Sequence, residues 1–201
     1  KLFFMNNAAQ NIIKLEEETP MMQQYITIKK EHPDSILFFR MGDFYEMFNE
    51  DAKIASRVLE IALTSRNKNK ANPTPMCGIP HHASKSYIAK LIKSGKKVAI
   101  CEQTEDPKFT KGLVRREVVR VVTPGTILDD NLLDPKQNHF LISLHSNPKG
   151  WGFAALDITT GLFKVTEFDG DNRDSLLQDE IEKFDPKEII LSEISVDEFN
   201  K

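Results

Sequence analysis

The stretch from Ile36 to Phe48 constrains this chain more than any other. Ile36-Leu37-Phe38-Phe39 is an uninterrupted apolar run leading into Arg40 and Met41. Gly42-Asp43 is a turn signal, and Phe44-Tyr45-Glu46-Met47-Phe48 mixes apolar residues with one acid. The pattern reads as strand, tight turn, strand. On the second strand the two-residue period puts Phe44 and Glu46 on one face and Tyr45 and Met47 on the other. A large flat hydrophobe and a carboxylate then stand side by side. In one reading Phe44 is core and Glu46 is solvated. In the other, Phe44 is a stacking wedge and Glu46 an adjacent hydrogen-bonding acid, suited to probing a nucleic-acid base.

Charge separates the two halves of the chain. The 201 residues carry a formal net charge of −3, but residues 20–124 hold 18 Lys and Arg against 11 Asp and Glu, a net of +7. Residues 125–201 hold 7 against 16, a net of −9. Such an asymmetry suggests two units with different partners, the basic one facing nucleic acid. At 40% apolar and 28% charged residues, the composition is that of a folded soluble chain rather than a disordered or membrane-spanning one. Two cysteines, Cys77 and Cys101, make neither a disulfide framework nor zinc spacing. No apolar run reaches the ~18 residues that would span a bilayer.

Residues 1–18 read as a mobile arm. Thr19-Pro20 reads as an N-cap followed by a first-turn proline, opening a helix with Met22, Tyr25, Ile26 and the Lys29 stem inward and a stop before Pro33. After the central hairpin, Asn49 or Asp51 caps a second helix carrying Ala52, Ile54, Ala55, Val58, Leu59 and Ala62. Leu63-Thr64-Ser65-Arg66 leads into a basic, proline-punctuated loop with Lys68 and Lys70, either a plain surface loop or a phosphate contact. His82 or Ser84 opens a helix with Tyr87, Ile88, Leu91 and Ile92 inward, capped by Ser94-Gly95. Val98–Cys101 is a buried strand, and Leu113–Val122 is a strand with Arg115, Arg116 and Arg120 among valines. Thr123-Pro124-Gly125-Thr126 reads as a hinge. Beyond it come three strands with short turns (140–144, 151–157 and 162–168), a helix capped by Asp174 and stopped by Pro186, and a fourth strand at 188–191.

Five blocks carry a resemblance to the N-terminal part of the MutS family of DNA mismatch-repair proteins. They are Thr19–Tyr25, Phe38–Glu46, Met76–Ala83, Val98–Gln103 and Arg120–Thr126, in the family's order and spacing. The resemblance implies an α/β (α+β) fold in two domains. A small mixed-sheet mismatch-recognition domain would occupy residues 19–124, and part of a ribonuclease-H-like connector domain residues 125–201, continuing beyond Lys201. It implies that Phe44 and Glu46 are the Phe-x-Glu pair that touches the mispaired base. Met41, Thr64, Arg66, Met76 and Gly78 would approach the DNA with them. Arg40 stands between a phosphate contact and a snorkelling surface residue. Lys68 and Lys70 fall where the family varies and are not carried over.

The same resemblance implies double-stranded DNA with mismatches or small loops as the partner. A homodimer working with other mismatch-repair proteins in a bacterial, nucleoid-associated cytoplasm is implied for the full-length protein. ATP and magnesium belong to an ATPase region further along such proteins. No Gly-x-x-x-x-Gly-Lys-Ser/Thr loop occurs in this sequence, so no cofactor is expected here and the stretch should not act as an enzyme. Two other classes stay open. One is a metal-dependent nuclease using Asp43, Glu46, His81 and His82, or Asp157; the adjacent histidines chelate poorly, and Asp157 without partner carboxylates reads as structural. The other is a structural adaptor whose basic face meets an acidic protein.

Overall fold

A computed structural model describes residues 18–67, 73–106, 109–126, 138–192, 195, 196 and 199. The expected arm, apart from Glu18, and the loop lysines Lys68 and Lys70 lie outside the described residues. The chain divides into two compact α+β units, at Val122/Thr123.

The first unit opens with α1 (Pro20–Glu31). Thr19 caps it, its hydroxyl accepting from the Met22 N–H at 3.4 Å, and Lys29 and Lys30 oppose the helix dipole in the last turn. The buried stripe is Met21, Met22, Tyr25 and Ile28, with Ile26 only at its margin. Strands β1 (Ser35–Met41) and β2 (Phe44–Phe48) form the expected hairpin, with Met41 opposite Phe44 and Gly42 in the left-handed region at φ 59°.

Helix α2 (Asn49–Leu59) follows without a break. Neither Asn49 nor Asp51 caps it: Phe48 occupies the cap position with no side-chain bond, and Asn49 is itself left-handed at φ 53°. Asp51 is instead buried. One carboxylate oxygen accepts from the Leu37 N–H at 3.0 Å and lies 3.3 Å from the Tyr25 hydroxyl, while the other pairs with Lys29 Nζ at 2.9 Å. It therefore ties α1, β1 and α2 together. The helix ends at Leu59 with Glu60 left-handed, which leaves Ala62 outside it.

The sequence reading missed a strand pair. Thr64–Arg66 is β3 and Thr74–Pro80 is β4, antiparallel to each other and joined to the hairpin through β2. Prolines at 75 and 80 disguised β4, because proline cannot donate to a ladder. A 3₁₀ turn (His81–Ala83) leads into α3 (Ser84–Lys93), which has no side-chain cap; it ends at Ser94 with Gly95 at φ 75°. Strand β5 (Lys97–Gln103) pairs parallel with β1, and β6 (Arg116–Val122) closes the sheet, starting three residues later than expected. The order is β3-β4-β2-β1-β5-β6. Helix α1 covers part of one face, where Tyr25 meets Phe39 and Phe48 edge-on over Leu37, Ala99 and Cys101. Met47, Cys77 and Ile79 are buried on the other face, where the Cys77 thiol lies 3.5 Å from Ala52 O of α2. Burying each large side chain stabilises by about 1.5–3 kcal/mol.

The second unit begins at Thr123, in the segment read from the sequence as the hinge. Pro124–Thr126 is a 3₁₀ turn, the Thr126 hydroxyl accepts from the Thr123 N–H, and the Gly125 N–H donates to Glu188. Strands β7 (Phe140–Asn147), β8 (Gly150–Asp157) and β9 (Leu162–Asp169) make the expected meander. Helix α4 (Arg173–Phe184) and β10 (Glu188–Leu191) follow, with β10 parallel to β7 in the order β10-β7-β8-β9. Asp174 does not cap α4; it accepts from the Trp151 indole N–H at 2.8 Å. The core gathers Phe140, Ile142, Leu144, Trp151, Phe153, Leu177 and Phe184.

Candidate nucleic-acid interface

Cross-strand partners point to the same face of a sheet, so register alone assembles the site. Met41 lies opposite Phe44. On the other side of β2, Glu46 pairs with Gly78 and Phe48 with Met76. Met76 pairs in turn with Thr64, and Thr74 with Arg66. Seven expected residues therefore share one face: Met41, Phe44, Glu46, Thr64, Arg66, Met76 and Gly78. It is the face that carries α1, since Phe48 and Phe39 belong to the core beneath that helix.

Phe44 is 48% exposed at the turn end of β2. Glu46, two residues along, is half-buried, and desolvation raises its pKa above the ordinary carboxylate range, opposed in part by Arg66 and then Arg116. Arg66 Nη1 approaches Glu46 Oε2 at 3.5 Å. Gly78 leaves room beside the acid: a Cβ there would lie 3.8 Å from Glu46 Cγ.

Arg40, left open in the sequence between a phosphate contact and a snorkelling surface residue, does not share this face. Adjacent residues of a strand face opposite ways, so Arg40 turns to the far face with its partner Tyr45, its guanidinium 5.6 Å from that ring. There Nη1 pairs with Glu102 at 3.4 Å and Nε donates to Gly42 O at 2.5 Å, while the Tyr45 hydroxyl also bonds Glu102. Burial, and then Glu102, pushes Tyr45 up to about 12. The guanidinium braces the hairpin turn from behind.

Sequence reasoning singled out no one arginine of the 115–120 region, yet Arg116 is buried and central. Its Nε donates to Arg40 O at 2.7 Å, and Nη1 to Val114 O and Gln24 Oε1 at 2.8 and 3.1 Å. Nη2 lies 3.4 Å from Met41 Sδ, and the guanidinium lies over the Phe39 ring at 4.9 Å. The available signal was its place among valines in a strand, but alternation there does not tell which of Arg115 and Arg116 turns inward.

The residues weighed for metal chemistry are placed otherwise. The His81 backbone N–H donates to Asp43 O at 2.9 Å, and its Nδ1 lies 3.0 Å from the same oxygen, pinning β4 to the hairpin turn. The His81 and His82 rings meet edge-on at 5.8 Å. Asp157 is buried, with Oδ1 accepting from both N–H and hydroxyl of Thr159. Desolvation opposes its ionisation, but hydrogen bonds from Thr159, then Thr160 and the His139 backbone, together outweigh it and its pKa is lowered. Among the described residues, no three His, Cys, Asp or Glu side chains converge on a metal position, and no helix is long and apolar enough to cross a membrane.

Comparison with known proteins is specific. The family described as MutS domain I matches residues 19–131, and that described as MutS domain II matches residues 139–200. The DNA mismatch repair protein MutS of Desulforamulus reducens is 55% identical over 175 residues, which are 87% of this chain and 20% of that protein. Its counterpart from Desulforapulum autotrophicum is 56% identical over 179 residues, 88% of this chain and 20% of that protein. The Staphylococcus aureus (strain JH9) protein is 54% identical over 175 residues, with shares of 87% and 20%. This chain thus spans about a fifth of the length of these curated relatives. The two α+β units are consecutive domains, I and then II, of one class of protein. The chain belongs to the MutS family.

Proposed function

We propose that this chain reads mispaired or unpaired bases in duplex DNA at the start of mismatch repair. Phe44 enters the minor groove, stacks on the defective base and kinks the duplex. A wedge of this kind costs a few kcal/mol of unstacking per step. A mispair has already lost part of its pairing and stacking, so the same distortion costs less there, and the difference is the discrimination. Glu46 accepts a hydrogen bond from the base edge. Against a matched duplex its charge faces phosphates without that bond, which penalises the wrong ligand. Thr64, Arg66, Met76 and Gly78 flank the pair, and the basic residues of the unit position it without reading sequence.

The observation that carries this reading is a large exposed aromatic beside a half-buried acid on one face of a basic unit. The family supports it. ATP and magnesium act, in this reading, in the longer proteins of the family. With no phosphate-binding loop in its sequence, this chain is assigned no nucleotide step. A homodimer, further repair proteins and a nucleoid-associated cytoplasmic setting belong to the same proposal. The test is fluorescence anisotropy at low and physiological salt with matched and singly mismatched duplexes. Weak binding that prefers the mismatch and falls steeply with salt is expected. Equal affinity for both duplexes, or affinity indifferent to salt, overturns the reading, as does reproducible magnesium-dependent cutting of DNA.

A further inference from the structure

Glu46 stands between two guanidinium groups that are held in different ways. Arg116, from β6, is fixed by three oxygen acceptors and by the Phe39 ring, so it cannot leave. Arg66 lies on the other side, on a three-residue strand at the edge of the sheet. Its guanidinium is about a third exposed and meets Glu46 at 3.5 Å, the long end of the hydrogen-bond range. An ion pair of that length and exposure is weakly held. Phe39 of β1 and Gly78 of β4, the register partners of Glu46 on this face, carry no charge, so these two arginines set the local field at the carboxylate.

We propose that Arg66 is an exchangeable counter-ion: it pairs with Glu46 in the free chain and transfers to a DNA phosphate when the face engages a duplex. Guanidinium suits both partners, since carboxylate and phosphate present similar paired oxygens. The exchange withdraws one of the two positive neighbours of Glu46 at the moment a base arrives. The carboxylate then depends on a donor from that base, which makes Arg66 a positioning residue for discrimination and more than a phosphate anchor. This inference rests on the DNA-reading function proposed above.

The test uses the chain itself with Arg66→Gln and Arg66→Lys, following the Glu46 carboxyl carbon by NMR as pH is varied, with and without mismatched duplex. In the free chain Arg66→Gln raises the Glu46 titration midpoint and Arg66→Lys largely restores it. In the complex the parent and Arg66→Gln midpoints agree, because Arg66 has already left. The slope of log affinity against log salt falls by about one for Arg66→Gln, as for the loss of one phosphate contact. A free-chain midpoint unmoved by Arg66→Gln overturns the proposal, and so does a difference that persists undiminished on DNA. If the parent shows no preference for the mismatch, the function fails; if the preference is present and the titration pattern absent, only the exchange fails.

Discussion

Phe44 and Phe48 project from the same face of one five-residue strand, yet Phe48 is fully buried and Phe44 is 48% exposed. The difference lies in what stands opposite each. Tyr25 of α1 meets Phe48 edge-on at 4.9 Å, and its hydroxyl lies 3.3 Å from Phe48 O. Phe44 has Met41 and Pro80 as register partners, at the turn end of the sheet. One strand thus supplies a core anchor at one end and an uncovered aromatic at the other.

Truncating the two rings should therefore separate stability from reading. Phe48→Ala should cost about 3–5 kcal/mol, as for a fully buried phenylalanine. Phe44→Ala should change stability by no more than about 0.5 kcal/mol, as at a surface position, while removing the preference for mismatched duplex. Urea unfolding of both variants with anisotropy on both duplexes checks this. A Phe44→Ala variant that melts early and still discriminates would sink the wedge.

Asp51 should behave as a core residue despite its charge. Asp51→Ala leaves the Leu37 N–H without its acceptor inside the sheet, whereas Lys29 keeps the Ser35 carbonyl, at 2.6 Å, and some access to water. The expected loss is about 2–4 kcal/mol, from one orphaned buried donor and one broken partly buried pair. Asp51→Asn should lose less, since an amide oxygen can still accept from Leu37. Equal losses in the two variants would mean that the N–H bond is not what matters.

The hairpin was legible because its signals agree: an apolar run, a Gly-Asp turn and a two-residue period. Those residues also gave the alternation of Phe44 and Glu46 against Tyr45 and Met47. Asp51 was misread because an acid near a helix start usually caps, and only tertiary packing reveals that α1 and β1 converge on it. The β3–β4 pair was hidden by Pro75, Pro80 and the polar residues around them. Arg40 stayed open between a phosphate contact and a snorkelling surface residue, although the period that separates Phe44 from Tyr45 also sends Arg40 to the far face. The Arg66–Glu46 approach could not be read at all, because it depends on β3 being placed beyond β4.

The two thiols should be silent in the native chain. Burial pushes Cys77 up to about 11 and Cys101 to about 12, so neither is a nucleophile near neutral pH. Iodoacetamide at pH 8 should leave the folded chain unlabelled and label both cysteines in urea. Linkage gives the sign of the stability effect. The folded state holds these protons more tightly than the unfolded state, so their contribution is complete below about pH 8.5. It is lost as pH rises from there through about 11 for Cys77 and about 12 for Cys101. Cys77→Ala and Cys101→Ala should each flatten the alkaline fall in unfolding midpoint. Native labelling as fast as in urea would contradict the burial of both thiols.

Glu46→Gln should act on stability and on binding in a coupled way. Desolvation raises the folded-state pKa of Glu46, only partly offset by Arg66 and Arg116, so the folded chain binds this proton more tightly than the unfolded chain does. The ionised acid therefore costs stability. That cost is absent at pH values below both pKa values, grows as pH rises between them, and is complete above the folded one. The glutamine variant should be more stable than the parent at pH 7 and lose that advantage as pH falls into the carboxylate range. On DNA the amide keeps an accepting oxygen and removes the charge that phosphates repel. Matched-duplex affinity should rise and discrimination should fall. Urea unfolding at neutral and acid pH, with anisotropy on both duplexes, measures the two effects in one preparation. A variant that gains no stability at pH 7 would mean that the arginines compensate the charge fully. One that binds both duplexes as the parent does would leave Glu46 with no part in reading the base.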